Sequence, residues 1–434
     1  MSTEELVRPG LTTPFTGQLA DIKRRLRKKV PQLTANDVRR ARIRYYEAIT
    51  SELYEAGYKN AAIFVLHLIA YEDTYVGRTS VQSVEEKRLR YNEPLLSYLC
   101  ERLTEAESCR KEQSYEREVH VLLAVGRKLT PEREKHWLAQ QFFLVALDRC
   151  IDCGSSSVRV KTESLVRYYY AELLFSQQEQ LSALKMVEKA KAALDAVVSG
   201  VRVVDEWKTL DNEPQCLPIA INTMRFKINH RISYKRVELP AWMREQYMKD
   251  AYQAALETYK PSTKAEACLA FGEFLCNEKR YPEAMDMYRD ALQQAELEGD
   301  LPELVCAAVL AQAETYDKLG QPVRRDALMQ RADQLTRSRQ DTLCRANYWY
   351  LSIYLETANG YPEDIDRLVQ MEEQLGKAFK IYTREQDYLK KVLVFGMQMQ
   401  LSARIKFRRC IQLTRAAIST SDEELYRLGD MFDR

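Results

Sequence analysis

From Asn36 onward the apolar residues of the chain recur three and four apart: Ile43, Tyr46, Ala48, Ile49 and Leu53, then, beyond Gly57, Ala62, Val65, Leu66 and Ile69. That spacing gathers them on one face of a helix and predicts a helix hairpin, with Gly57 as the left-handed stop between its arms. A polar stretch at 78–88 leads to three further helices, expected at 94–112, 115–128 and 133–152, the last opening after Pro131 and closing at Gly154. Residues 34–154 thus read as an all-helical N-terminal section without a sequence repeat. Ahead of it, residues 1–33 carry Pro9, Gly10, Pro14, Gly17 and Pro31 and are expected to be a flexible basic tail.

Beyond Gly154 the text becomes self-similar, and an array of helix hairpins is expected over 158–380. With Ala265 as position 1, the segment 265–298 follows the tetratricopeptide pattern at nearly every position: Cys268, Phe271, Gly272, Leu275, Tyr281, Ala284, Tyr288 and Ala291. The physical need is plain. Small residues at positions 8, 20 and 27 let two antiparallel helices approach, and bulky ones at 7, 11, 17 and 24 fill the space between them and the next pair. A register opening at Cys306 gives Val309, Ala313, Tyr316, Gly320 and Ala332, with Arg325 where Ala is wanted. One opening at Ser164 gives Tyr170, Ala171, Leu174, Ala183, Val187 and Ala190. Weaker hairpins are expected at 216–258, broken near Pro240, and at 342–380, where Tyr354, Tyr361 and Leu368 keep part of the pattern. An amphipathic helix at 384–420 should close the array, because a terminal repeat otherwise exposes its stacking face. A short acidic tail, 421–434, follows. The predicted fold is all-α: a helical-hairpin solenoid with an all-helical N-terminal section and a C-terminal capping helix.

Composition supports helix and limits function. The chain has 14 Gly and 13 Pro in 434 residues, about 3% each against a typical 7% and 5%. This disfavours sandwiches, barrels and disordered chains. With 65 basic and 63 acidic residues the net charge is +2, so no global field draws the molecule to nucleic acid or anionic lipid. The text holds no long uncharged apolar run and no secretory leader, which leads us to expect a cytoplasmic protein without membrane insertion. Ten scattered cysteines fit a reducing compartment.

A search for chemistry returns little. Cys150-Ile-Asp-Cys153 is the lone C-x-x-C, it falls at a helix C-terminus, and its nearest histidine upstream is His136. Packing cysteines are therefore expected rather than a metal or redox pair. His67, His120, His136 and His230 form no ligand motif, and His67 reads as a hydrogen-bonded core residue. Phosphate loops, dinucleotide fingerprints and nucleophile elbows are all missing from the text. The expectation is a protein that is not an enzyme and has no cofactor or metal.

Two charge features are candidates for recognition. Between Asp21 and Arg44 lie ten basic residues against two acidic ones, including Lys23, Arg24, Arg25, Arg27, Lys28 and Lys29, an arm able to hold an acidic partner. Its interleaved residues are Leu26, Val30 and Leu33 rather than stacking aromatics, which argues against single-stranded nucleic acid. In the repeats, the groove-facing position 9 is Glu172, Glu273 and Glu314, joined by Glu266 at position 2 and Asp317 at position 12. Such a column favours a basic or helical segment laid along a groove. Positions 2, 5, 9 and 12 carry no Lys or Asn, which argues against a clamp for an acidic C-terminus.

The stretch Leu95–Glu116 (LLSYLCERLTEAESCRKEQSYE), His136-Trp137, the Arg149–Gly154 hexamer RCIDCG and the earlier Glu55–Leu66 (EAGYKNAAIFVL) resemble the tetratricopeptide repeat protein 29 family of ciliary and flagellar axonemes. The similarity runs from about residue 50 to about 380. It departs from the family at Ala171 and Ala313, where Gly is usual, at Arg325, and in the basic arm at 21–29. The resemblance implies a non-enzymatic role in axonemal assembly, flagellar beating and sperm motility, with axonemal or intraflagellar-transport proteins as partners. The alternative is a cytoplasmic tetratricopeptide adaptor that binds a regulatory peptide, as in spindle or polarity complexes.

Overall fold

The computed structural model describes residues 44–76, 88–198, 207–236, 238–297, 301–337, 342–358 and 360–419. The basic arm at 23–29 and the acidic tail at 421–434 lie outside these residues. Among the described residues there are sixteen α-helices and no strand. The chain divides into two compact units, Met1–Met224 and Arg225–Arg434. The first holds α1 (Tyr45–Glu55), α2 (Lys59–Tyr71), α3 (Glu93–Lys111), α4 (Tyr115–Leu129), α5 (His136–Arg149), α6 (Ser156–Ser176), α7 (Gln180–Val198) and the opening of α8 (Leu217–Lys235). The second takes the rest of α8, then α9 (Ala241–Leu256), α10 (Pro261–Asn277), α11 (Tyr281–Leu297), α12 (Pro302–Lys318), α13 (Pro322–Thr336), α14 (Leu343–Ala358), α15 (Ile365–Arg384) and α16 (Tyr388–Ser419).

One turn is used six times. After α1, α3, α6, α10, α12 and α15 a residue takes a positive φ: Gly57, Gln113, Gln178, Lys279, Gly320 and Gln386. In each case the next backbone N–H reaches back five residues, as in Tyr58 to the Leu53 carbonyl (2.9 Å), Arg280 to Leu275 (2.9 Å) and Gln321 to Tyr316 (2.9 Å). This left-handed cap satisfies carbonyls that a helix end leaves bare and folds the chain straight into the antiparallel partner. Only two of the six positions are glycine, so four side chains carry the steric cost of that conformation.

The helices of the best-matching hairpin lie close together. A Cβ placed on Gly272 of α10 would sit 2.4 Å from the ring of Tyr288 on α11, a distance no pair of carbon atoms tolerates. In the register, the other two repeats put Ala171 opposite Val187 and Ala313 opposite Met329, so a Cβ at position 8 accompanies a non-aromatic residue at position 24. The departure from Gly is thus matched by a change across the pair. Ala284 is fully buried beside Leu275 and Tyr288, with Phe271 and Tyr281 packed at the edge, and Ala291 is fully buried beside Cys268 and Ala308. Arg325, in place of a small residue, lies largely buried and donates to Asp317 at 2.8 Å. The first unit repeats the close approach, where a Cβ on Gly126 of α4 would come within 2.9 Å of Phe143 on α5.

Buried carboxylates tie the first unit together. Glu107 of α3 accepts from the Ala61 N–H at the start of α2 (2.9 Å), and Glu72 accepts from the Leu89 N–H (2.9 Å). Glu118 of α4 is only 5% exposed and faces Arg110 (3.4 Å) and Arg149 (3.6 Å), while Arg110 also pairs with Asp152 (2.9 Å). Burial makes the Glu118 carboxyl hold its proton more tightly than in water, and the two guanidiniums oppose that. The stretches quoted above as family-like therefore meet here: Lys111 donates to the Gly57 carbonyl (2.9 Å) and lies 4.1 Å from the Tyr58 ring centre. A loop at 207–216 is clamped by Arg127, which bonds Asp211 (3.0 Å) and the Leu210 carbonyl (2.8 Å), and by Tyr169, which donates to Asp211 (3.0 Å).

Two outcomes differ from expectation. His67 is exposed rather than in the core, because the face of α2 that packs is Ala61, Ala62, Val65, Leu68 and Ile69, and His67 lies opposite it. The last helix closes the stack on α15 through Val394, Leu401 and Ile405, yet its outer side remains apolar.

Two substitutions probe these features. Gly272→Ala should destabilise the protein by about 1–3 kcal/mol through overpacking against Tyr288, although Ala is the better helix former by about 1 kcal/mol. An unchanged melting temperature would refute the close approach. Lys279→Gly should act in the opposite direction, raising stability by up to about 1 kcal/mol because the left-handed residue loses its Cβ strain, and urea midpoints would read the gain.

Candidate functional site

The first helices of successive hairpins in the second unit, α10, α12 and α14, present one face to a common hollow. Position 9 supplies Glu273 from α10 and Glu314 from α12. Position 13 lies one helical turn further on the same face, and it supplies Asn277 and Lys318. Asn347 and Tyr350 come from α14, and Lys390 comes from the first turn of α16. They line a cavity of about 290 Å3, whose floor is the close-packed interior of the hairpins.

Charges of both signs meet in it. The Tyr234 hydroxyl on α8 donates to Glu273 Oε1 at 2.6 Å. Burial, that bond and the nearby Glu314 charge all hold the phenol proton above its ordinary pKa. Lys318 pairs with Glu314 at 2.9 Å and lies 3.4 Å from the Cys276 sulfur. Burial weakens its ammonium, but the Glu314 contact outweighs burial and the proton is held more firmly than in water. Lys390 donates to Asn347 Oδ1 (2.8 Å), which also accepts from the Tyr382 hydroxyl (2.8 Å). The hollow therefore carries both signs, with Glu273 from α10, Glu314 and Lys318 from α12 and Lys390 from α16.

The sequence-based candidates distribute unevenly around it. Glu273 and Glu314 are brought together, whereas Glu172 sits on the exposed side of α6 in the first unit. Glu266 is exposed on α10 away from the cavity, and Asp317 turns to Arg325 on α13. The sequence reading missed the cations Lys318 and Lys390 and the amides Asn277 and Asn347. A scan carried four residues past position 9 finds Asn277 and Lys318. Asn347 and Lys390 arrive from helices too divergent to register. The groove is thus of mixed sign rather than an acidic column.

Other reactive side chains are occupied. Cys150 and Cys153 are 1% and 5% exposed, and Cys150 donates to the Ala146 carbonyl at 3.2 Å. Burial pushes the Cys150 thiol up to about 12 and raises that of Cys153, so neither is a ready thiolate. The His136 Nε2 bonds the Thr130 carbonyl at 2.8 Å. Among the described residues no three His, Cys, Asp or Glu side chains gather as metal ligands, and no helix is long and apolar enough to cross a membrane.

No protein-family model matches the sequence, and no curated protein sequence matches it. Among solved structures it is similar to aspartyl phosphate phosphatase F from Bacillus subtilis, with a TM-score of 0.41 and 12% identity over 82% of this chain and 94% of that one. A Rap protein complexed with competence and sporulation factor matches at 0.34 and 11% identity, over 84% and 99%. A signal-transduction ATPase with a tetratricopeptide repeat sensor from Pyrococcus horikoshii matches at 0.39 and 11%, over 79% of this chain and 55% of that one. At such distances no activity transfers from them to this chain.

His230 gives the groove wall a pH dependence. Its ring stacks on Phe226, with centroids 5.9 Å apart, and meets the Tyr234 ring at a tilt, with centroids 5.8 Å apart. Burial lowers its pKa below the ordinary value, with Glu273 opposing. The unfolded chain therefore takes up this proton first as pH falls, so the folded state loses stability below about 6.5. His230→Gln should flatten that loss, and denaturant midpoints between pH 7.5 and 5.5 would show it. A slope equal to the parent's would refute the assignment.

Proposed function

We propose that the chain is a non-enzymatic scaffold that captures an extended segment of a partner protein in the groove of its second unit. The observation that carries this reading is the cavity of about 290 Å3 lined by Glu273, Glu314, Lys318, Asn347 and Lys390. Side chains already bonded to one another form the wall, so a ligand meets fixed charges rather than mobile ones, which lowers the ordering cost of binding. A matching segment carries a basic side chain for the two glutamates and, further along, a carboxylate for Lys390. Charges so placed set orientation and register more than raw affinity.

The setting of that activity is the cilium or sperm flagellum, with axonemal or intraflagellar-transport proteins as the partners. This part rests on the resemblance of 55–66, 95–116 and 149–154 to an axonemal family, whose residues pack against one another around Glu107 and Arg110 in the first unit. A cytoplasmic adaptor for a regulatory peptide is the alternative, and it uses the same groove.

A photo-crosslinking residue at Tyr350, introduced into the full chain in ciliated or spermatogenic cells, tests both parts. Axonemal or transport proteins should crosslink, and Glu273→Lys with Glu314→Lys should abolish the product while stability changes by no more than about 1 kcal/mol. Crosslinking that survives this double variant would remove the groove from consideration. Products confined to cytosolic proteins would move the function to the alternative setting.

A further inference from the structure

Among the described residues, the outermost helix of the second unit leaves a long apolar surface uncovered. α16 buries Val394, Leu401 and Ile405 toward α15. Beside them Tyr388, Val392, Phe395 and Met399, spaced four, three and four apart, are 71%, 68%, 52% and 55% exposed, with Phe395 at the edge, its ring 6.1 Å from that of Phe379 on α15. Leu389 and Phe407, at 68% and 67%, lie on the opposite flank of the small residues Gly396 and Ala403. A Cβ at Gly396 would meet no atom within 4 Å, so the two rows border an open channel. A channel between rows of side chains is the shape into which a ridge of a second helix packs. Contiguous apolar rows of this kind mark interaction sites on soluble proteins.

Charge says what kind of helix. Residues 388–419 contain seven Lys or Arg and no Asp or Glu. Lys390 bonds Asn347, Lys391 lies over the Phe379 ring, Arg404 over the Tyr361 ring, and Arg408 donates to the Pro362 carbonyl. These partners are neutral, so they leave the positive charge uncompensated. We propose that the outer face of α16 docks an amphipathic helix of another protein, apolar on one side and acidic along its borders. A second copy of α16 would set seven cations against seven. An anionic bilayer has no ridge to fill the channel. The apolar rows lie outside the groove, and of the seven cations only Lys390 belongs to its lining.

Two labelled synthetic peptides of about 18 residues, or five helical turns, test the proposal by fluorescence anisotropy with the full-length protein. Both carry the same Leu and Ile face, one bordered by Glu and the other by Lys. The Glu peptide should bind at least about tenfold more tightly at low salt, with the gap narrowing as salt rises. Val392→Asp with Met399→Asp should abolish binding at an unchanged melting temperature. Lys406→Glu with Arg409→Glu should weaken only the Glu peptide. Equal affinity for the two peptides, or no binding, overturns the proposal. A concentration-dependent dimer that Val392→Asp with Met399→Asp dissolves would overturn it in favour of a second copy. Binding to phosphatidylserine vesicles that the same variant abolishes, without peptide binding, would overturn it in favour of a membrane.

Discussion

A helix hairpin has two broad apolar faces and can cover only one of them by itself. The second unit is organised by that constraint. Each pair closes on itself where a small side chain admits a bulky one, as Gly272 admits Tyr288, and then offers its remaining face to the next pair. Cys306, Val309 and Leu310 of α12 share one cluster with Cys344 and Leu351 of α14, so a repeat is stable only as part of a stack. The constraint returns at the end of the array. α16 satisfies α15, and nothing among the described residues satisfies the outer side of α16.

Stacking also explains why a groove exists. The bulky positions of each hairpin are consumed between helices, and one face of every first helix is left looking into the hollow. Polar residues there are released from packing duty, which lets them differ from repeat to repeat: Glu273 and Asn277 in one, Glu314 and Lys318 in the next. They settle into local pairs, Tyr234 with Glu273 and Lys318 with Glu314. These pairs hold the charged side chains of the wall in defined places.

The first unit solves the same burial problem with polar ties. Among the described residues the buried carboxylates, Glu72, Glu107 and Glu118, all belong to it, and Glu107 holds the Ala61 N–H while Glu118 faces Arg110 and Arg149. Buried carboxylates demand partners in defined places. That demand gives a physical reason for the wording of the 55–66, 95–116 and 149–154 stretches, which looked like family signatures without chemistry. They hold one another in register.

Much of the fold was legible because helix periodicity is a local property. Helices expected at 94–112 and 115–128 occur at Glu93–Lys111 and Tyr115–Leu129, and the hairpin broken at Pro240 splits into α8 and α9 as read. Gly57 announced its turn, whereas Gln113, Gln178, Lys279 and Gln386 did not, since nothing in a glutamine or lysine marks a left-handed residue until the following helix forces it. Side-chain partners were beyond reach for the same reason. Glu273 and Glu314 lie 41 positions apart in sequence, and whether they stand alone depends on Tyr234 and Lys318 arriving beside them. Local pattern carried the all-helical class and the register of the 265–298 hairpin, because helix periodicity and repeat spacing are read along one stretch of chain. Only the tertiary structure decided the mixed sign of the groove, the buried carboxylate ties and the bare outer side of α16, because these depend on which distant helix is brought alongside.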